Sequence, residues 1–312
     1  KEVATTLETT NNKVVIIKYI LICSLIIFLL FSPLYSGNAT DNIAISLDEK
    51  QVEQGGIIRL KLTGLKEGIE PDKIQVIFND KQFPLFHTDN TGNNKAFATI
   101  IGVSYWTSPG QKQILVKAKD NIIASKDIKI LKGNFPVSRI TVSKEKEKVA
   151  NPGKEDTKLK ERLKKDGQLI AKARRTTSNK QLWKEGFIWP LKGKISTKFG
   201  ATRYVNDNLN SRHSGIDIAA QKGTPVVATN TGIVKLAAEL LRTGNTIIID
   251  HGQGVFSSYS HLSQVNVEQG ESVDKGDKIG EIGSTGFSTG PHLHWVIKAN
   301  GVFVNPQEFI DE

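Results

Sequence analysis

The chain has six histidines, at positions 87, 213, 251, 261, 292 and 294, and a single cysteine, Cys23, in 312 residues. One Cys excludes a disulfide framework and any Cys-rich zinc module, so a metal bound here must be held by imidazole and carboxylate. Two spacings suit that chemistry. His213-Ser-Gly-Ile-Asp217 sets an imidazole and a carboxylate on either side of Gly215, where a turn or strand end can direct both toward one point. His292-Leu-His294 lies in a β-like run, and alternation along a strand places both rings on one face. Imidazole and carboxylate suit Zn²⁺, and three protein ligands beside one open position make a catalytic site. His261, in Tyr259-Ser-His261-Leu, is a further candidate at another strand end. Taken singly, each spacing recurs as an ordinary surface or core pair; their conjunction in one Gly-rich region of about 125 residues points to a metal hydrolase. His251, in Ile249-Asp250-His251-Gly252, reads as a turn after a strand, and His87 as an isolated surface or turn residue.

The elements that must position these residues are mostly strands. From 187 onward, Gly-punctuated apolar runs predict strands at 188–191, 194–199, 225–229, 232–236, 246–250, 255–260, 278–282 and 292–297, with one brief helix at 237–241. Upstream, alternating or β-branched runs at 43–47, 57–62, 74–78, 96–103, 113–118 and 122–130 are separated by Gly/Pro/Asn/Asp clusters, which suggests a small antiparallel sandwich. Between the two β regions, residues 139–180 carry 14 Lys/Arg against 6 Asp/Glu, a net +8 within a chain whose total is +10. This segment reads as a solvated linker with a helix over 154–175. Its stripe of Leu159, Leu163, Leu169 and Ile170 is thin and predicts light docking or none. Contact between the 139–180 segment and an anionic envelope or membrane surface is the functional alternative. The run has no interleaved aromatics, so nucleic acid is not an expected partner.

At the N-terminus, Lys13 precedes an apolar run over 14–31 interrupted only by Lys18. The 13 uncharged residues from Tyr19 to Phe31 are short for a spanning helix of ~20 and match a signal-peptide core. Pro33 and the small residues of Gly37-Asn38-Ala39 follow, as a cleavage site requires. An uncleaved anchor beginning at Val14, with Lys18 snorkelling, is the competing reading. Either reading gives membrane targeting and export, with Cys23 confined to the export signal. The expected organisation is therefore 1–39 signal peptide or membrane anchor, 40–135 β-sandwich-like domain, 136–186 basic linker with a helix, and a β-rich domain over 187–312.

Four segments of the last region, His213-Ser-Gly-Ile-Asp217-Ile-Ala-Ala, Gly223-Thr-Pro-Val, Tyr259-Ser-His261-Leu-Ser and Gly283-Ser-Thr-Gly-Phe-Ser-Thr-Gly-Pro-His292-Leu-His294-Trp295, together closely resemble the lysostaphin/LytM-type zinc metallopeptidases, the M23 family, in the family's order and spacing. Asn305-Pro306 also fits. The resemblance covers roughly 187–312; the upstream β region and linker resemble some envelope members less distinctly. It implies a mainly β protein whose C-terminal domain is an antiparallel β-sheet metallopeptidase with the metal in a groove, acting on peptidoglycan stem peptides or cross-links. By analogy with members carrying a similar upstream domain, the bond is D-Ala–diaminopimelate and the setting is the periplasm or cell envelope, with inner-membrane anchoring as the alternative. It also implies His213, Asp217 and His294 as zinc ligands, and His261 and His292 as the two non-ligand active-site histidines. One of these two takes a proton from water, and the other holds the oxyanion or protonates the leaving amine. Val296 departs from the pattern, since many members carry an acidic residue there. Some relatives cover the groove with upstream segments.

Two rivals come from other classes. One is an idle module of the same fold that binds the wall or activates another hydrolase. The other is a biotinyl/lipoyl-like carrier, suggested by the Val/Gly repeat from Val267 to Gly280; Lys275 lies within the turn repeat rather than at a hairpin tip, and the carrier leaves the His/Asp set idle. A phosphate loop at 283–290 fails for want of a following Gly-Lys-Ser/Thr.

Overall fold

The computed structural model describes residues 43–65, 71–88 and 96–311. The signal-peptide or anchor segment expected at 1–39 lies outside the described residues, among which no helix is long and apolar enough to cross a membrane.

The described residues between 44 and 131 form the expected sandwich of two sheets. One sheet runs Ala44–Leu47, Ile57–Thr63, Phe97–Gly102, Phe86–His87, and the other Gln51–Glu53, Asn121–Leu131, Gly110–Ala118, Ile74–Phe78, Lys81–Phe83. Alternation does the sorting: in Ile57–Thr63, Ile58, Leu60 and Leu62 point inward while Arg59 and Lys61 face solvent. With Val76, Phe97, Ile114, Val116, Ile128 and Ile130 they fill one core. Gln51–Glu53 pairs in parallel with Asn121–Leu131, which was not legible in the sequence. His87 is on an edge strand, its ring 4.8 Å from that of Phe97.

The C-terminal region is built on one ten-stranded sheet in the order Lys194–Thr197, Ile216–Ala219, His292–Ala299, Val255–Val265, Gly244–Asp250, Gly232–Leu240, Ser272–Val273. Pro225–Val227, Lys278–Ile282 and Val302–Val304 branch from this path, and all its ladders are antiparallel. Trp295 and Tyr259, both fully buried, anchor the core with Ile216, Ile218, Ile247, Ile249 and Leu293. The helix expected at 237–241 is strand instead: Gly232–Leu240 pairs with Gly244–Asp250 up to Leu240 opposite Gly244. Ala, Glu and Leu favour helix locally, but the strand pairs with Gly244–Asp250 and Leu236 and Leu240 are buried with Ile248, Phe256 and Ala173, so tertiary contact overrides propensity. Residues 188–191 join no sheet strand, though their backbone bonds to Thr229 and Val227.

The basic segment is docked, contrary to the expectation of light contact. Val137–Ile140 pairs in parallel with Thr202–Val205, which pairs with Asn208–Arg212. The long helix spans Thr157–Ala173. Its buried face uses Asp166 and Ala173 rather than Leu169, which stays exposed. Ala173 and Ile170 pack on Leu236, Leu240, Ile248 and Phe256, and Asp166 accepts from Leu241 N at 2.7 Å and Arg162 Nε at 2.9 Å. A buried carboxylate, invisible to an apolar-stripe reading, fastens this helix. Arg174 donates to Ser258 Oγ at 2.7 Å, so several linker cations serve internal contacts.

Candidate active site

Asp217 and His294 are register partners on adjacent antiparallel strands, and side chains so paired lie on the same face. His292 shares that face, while Leu293 and Trp295 enter the core on the other. His213 follows the strand Asn208–Arg212, and backbone bonds with Ala201 and Gly200 hold it in place. Gly215 lies at a strand end, just before Ile216–Ala219, as one of the two expected readings had it, and it also has a packing role. A Cβ there would stand 2.2 Å from Trp295 O, so glycine is required for close approach to the strand bearing His292 and His294.

His261 occupies a bulge: Asn245 faces Leu262 and Ile247 faces Tyr259, so Ser260 and His261 together oppose Thr246. Its φ of +66° is a left-handed conformation unusual for histidine, held by His261 N donating to Thr243 O at 2.8 Å. Gly283 makes the bulge possible from beneath, since a Cβ there would meet Ser263 N at 2.4 Å and His261 O at 2.8 Å.

Three ligating atoms converge. His213 Nε2 lies 2.9 Å from Asp217 Oδ1, His294 Nδ1 lies 2.8 Å from the same oxygen, and the two nitrogens are 3.0 Å apart. His213 Nδ1–H donates to Lys198 O at 3.0 Å, leaving Nε2 of the neutral ring a bare lone pair aimed at the carboxylate. Such a cluster has too few protons for its acceptors, whereas one cation satisfies all three at once, so these residues could hold a metal. Burial opposes ionisation of Asp217, but either ring, when protonated, donates to the carboxylate and sets a positive charge beside it, which holds its carboxyl well below the usual carboxylate range. Burial pushes His294 down to about 4.

His261 and His292 stand beside this cluster with ring centroids 4.7 Å apart. Both donate through Nδ1, His261 to Thr285 O and His292 to Gly290 O, each at 2.8 Å, so both leave Nε2 free. His292 Nε2 is 3.8 Å from Asp217 Oδ1. Burial, with the neighbouring His294 and His292, pushes His261 down to about 3. All five predicted residues therefore meet in one site. His251 does not join them. It follows the strand Gly244–Asp250 directly and is buried against Ser257 Oγ and Thr231 O, at 2.7 and 2.8 Å, closing a core network.

Sequence reasoning missed two features. Arg203 donates to Asp217 Oδ2 at 3.0 Å, and nothing in its local Thr-Arg-Tyr-Val context signals this. The short helix Lys144–Ala150 spans the site's surroundings: Glu147 accepts from Asn206 at 2.8 Å, Lys146 donates to Ser288 O, and Arg242 donates to Val149 O and Ala150 O. It thus ties the hairpin bearing Arg203 to the loops that orient His261 and His292.

Residues 211–306, which contain the whole His/Asp cluster, match the model for peptidase family M23. This region is an M23 peptidase domain. The chain is 31% identical over 205 residues to the peptidoglycan DD-endopeptidase ShyA of Vibrio cholerae serotype O1, covering 62% of this chain and 46% of the relative. It is 39% identical over 125 residues to the murein hydrolase activator NlpD of Salmonella dublin, covering 40% of this chain and 31% of that protein. The chain thus spans less than half of either relative. In overall fold it is similar to the crystal structure of a putative peptidase M23 from Pseudomonas aeruginosa, with TM-score 0.58, 24% identity, and coverage of 82% of this chain and 93% of that one. The fold is mainly β in both the M23 domain and the upstream sandwich.

Proposed function

We propose that this protein is a zinc-dependent endopeptidase that hydrolyses peptide cross-links or stem peptides of peptidoglycan. The carrying observation is the convergence of His213 Nε2, Asp217 Oδ1 and His294 Nδ1 within 3.0 Å of one another beside two further histidines with free Nε2 atoms. His213, Asp217 and His294 would hold the Zn²⁺, which when bound supplies Lewis acidity toward a carbonyl oxygen and a water.

The chain's own residues carry the proton. His292 Nε2 takes a proton from the attacking water as its oxygen bonds to the scissile carbonyl carbon. When the C–N bond breaks, the same proton passes to the leaving nitrogen. His261, held neutral, presents its Nε2 lone pair as a hydrogen-bond acceptor that orients the water or the departing N–H. Burial, with the neighbouring histidines, lowers the pKa of His261 to about 3, which suits it to act as an acceptor rather than to carry a proton at neutral pH. Val296 is buried and supplies no polar partner, so orientation of the ligands falls to Lys198 O and Arg203.

The resemblance to a DD-endopeptidase supports a D,D-configured cross-link as substrate, and periplasmic or envelope exposure goes with it. Anionic-surface contact through 139–180 belongs to the same proposal, carried by the cations that internal bonds leave unused. The second reading, an idle module that activates another hydrolase, has the likeness to NlpD in its favour. The complete donor set weighs against it. Metal analysis separates the two: one tightly held Zn²⁺ per chain supports the endopeptidase, and a chain purified and zinc-dialysed without retaining metal contradicts it.

A further inference from the structure

Asp217 divides its two oxygens. Oδ1 faces His213 and His294 at 2.9 and 2.8 Å, while Oδ2 accepts from Arg203 Nη2 at 3.0 Å. Both partners of this ion pair are largely out of solvent, with side-chain exposures of 20% for Arg203 and 8% for Asp217. Arg203 Nε is buried without a hydrogen-bond partner among the described residues, so the bond from Nη2 to Asp217 and the backbone orient the guanidinium. That backbone is the centre of the three-stranded sheet, with Arg203 paired to Ser138 on one side and Ser211 on the other. Alternation fixes the direction: Tyr204 points to the opposite face, where Arg139 lies over its ring at 4.4 Å.

We propose that Arg203 is a positioning residue of the metal centre: by occupying Oδ2 it restricts Asp217 to a single oxygen toward the Zn²⁺, and the linker strand Val137–Ile140 holds it there. This rests on the zinc reading above. A carboxylate released from Arg203 is free to offer both oxygens, and the second would take a position that a catalytic site keeps open. A guanidinium suits the task because it stays charged at every working pH and donates a charge-assisted bond in a fixed direction. The arrangement also explains why a basic linker is paired into a sheet beside the site.

The test uses the full chain loaded with Co²⁺ in place of Zn²⁺, because four-coordinate Co²⁺ absorbs visible light more intensely than five-coordinate Co²⁺. Arg203→Met is expected to weaken the visible band at full loading and to lower Zn²⁺ affinity, by competition with a chromogenic chelator, about 10- to 100-fold. Arg203→Lys, which keeps a cation, is expected to recover part of both losses. A Met variant with the wild-type band and affinity overturns the proposal. Should circular dichroism show that Arg203→Met is unfolded, Arg203→Gln carries the same expectation and the same contradiction. A wild-type chain that binds neither ion overturns the zinc reading itself. Binding by the wild type with no change in the variants overturns only the role of Arg203.

Discussion

Asp217 and His294 face each other across two hydrogen-bonded strands, with Oδ1 and Nδ1 2.8 Å apart, and His213 reaches the same oxygen from a separate loop. On the proposed zinc reading, ligands drawn from two stretches of chain 77 residues apart couple metal binding to the fold. His213→Ala and Asp217→Ala are each expected to purify with little or no zinc, measured as metal content per chain. Full occupancy in both variants would end the ligand assignment.

His292 lies beside the ligand cluster and bonds none of its members closer than 3.8 Å through Nε2. His292→Ala should keep its zinc and lose turnover by about 10²- to 10⁴-fold, the range for a lost general base. Loss of metal in this variant would instead make His292 a ligand.

The helix Lys144–Ala150 ties the Asn206 hairpin to the Ser288 loop across the site. Ser288 also lies 3.3 Å from His292 Nδ1, so a peptide bound along this loop is expected to part these contacts. The double variant Lys146→Ala/Glu147→Ala removes two side-chain ties worth about 1 kcal/mol each, which is expected to raise kcat/KM on a soluble cross-linked muropeptide up to about tenfold. An unchanged or lower kcat/KM with normal zinc content would show that this helix does not limit access.

His251 supplies a pH signature separate from the site. Burial pushes it down to about 4 in the folded chain, against 6.5 when exposed. A histidine whose folded pKa is depressed gives its full stabilisation above pH 6.5 and loses it as pH falls from 6.5 toward 4, a loss on the order of 3 kcal/mol. His261 and His294 add to the wild-type trend, so the comparison must isolate His251. Between pH 7.5 and pH 5 the urea midpoint of the full chain should fall further than that of His251→Gln. Parallel pH profiles for the two proteins would contradict this account.

The site was legible in the sequence because its logic is local. His213 and Asp217 are four apart, close enough for a loop residue to reach its strand neighbour, and His292 and His294, two apart on a strand, share a face. What escaped depends on contacts far apart in sequence. Gly215 is required by Trp295, 80 residues on, and Gly283 by the backbone at His261 to Ser263. The linker's attachment rests on a buried Asp166 and a parallel edge strand, neither of which raises the apolar signal from which docking is read. At 237–241, local propensity pointed to helix and the partner strand decided otherwise. Arg203 was missed for a related reason: its partner is 14 residues away on a different sheet.

The most direct test of the central claim is mass spectrometry of fragments released from purified sacculi by the full chain, with and without a chelator, beside His292→Ala. The predicted result is loss of cross-linked dimers that the chelator abolishes and zinc restores, with His292→Ala inert although zinc-loaded; the new termini identify the bond. Sacculi left intact by the zinc-loaded wild type and by the variant freed of its Lys146 and Glu147 ties would contradict the endopeptidase and leave the activator reading in its place.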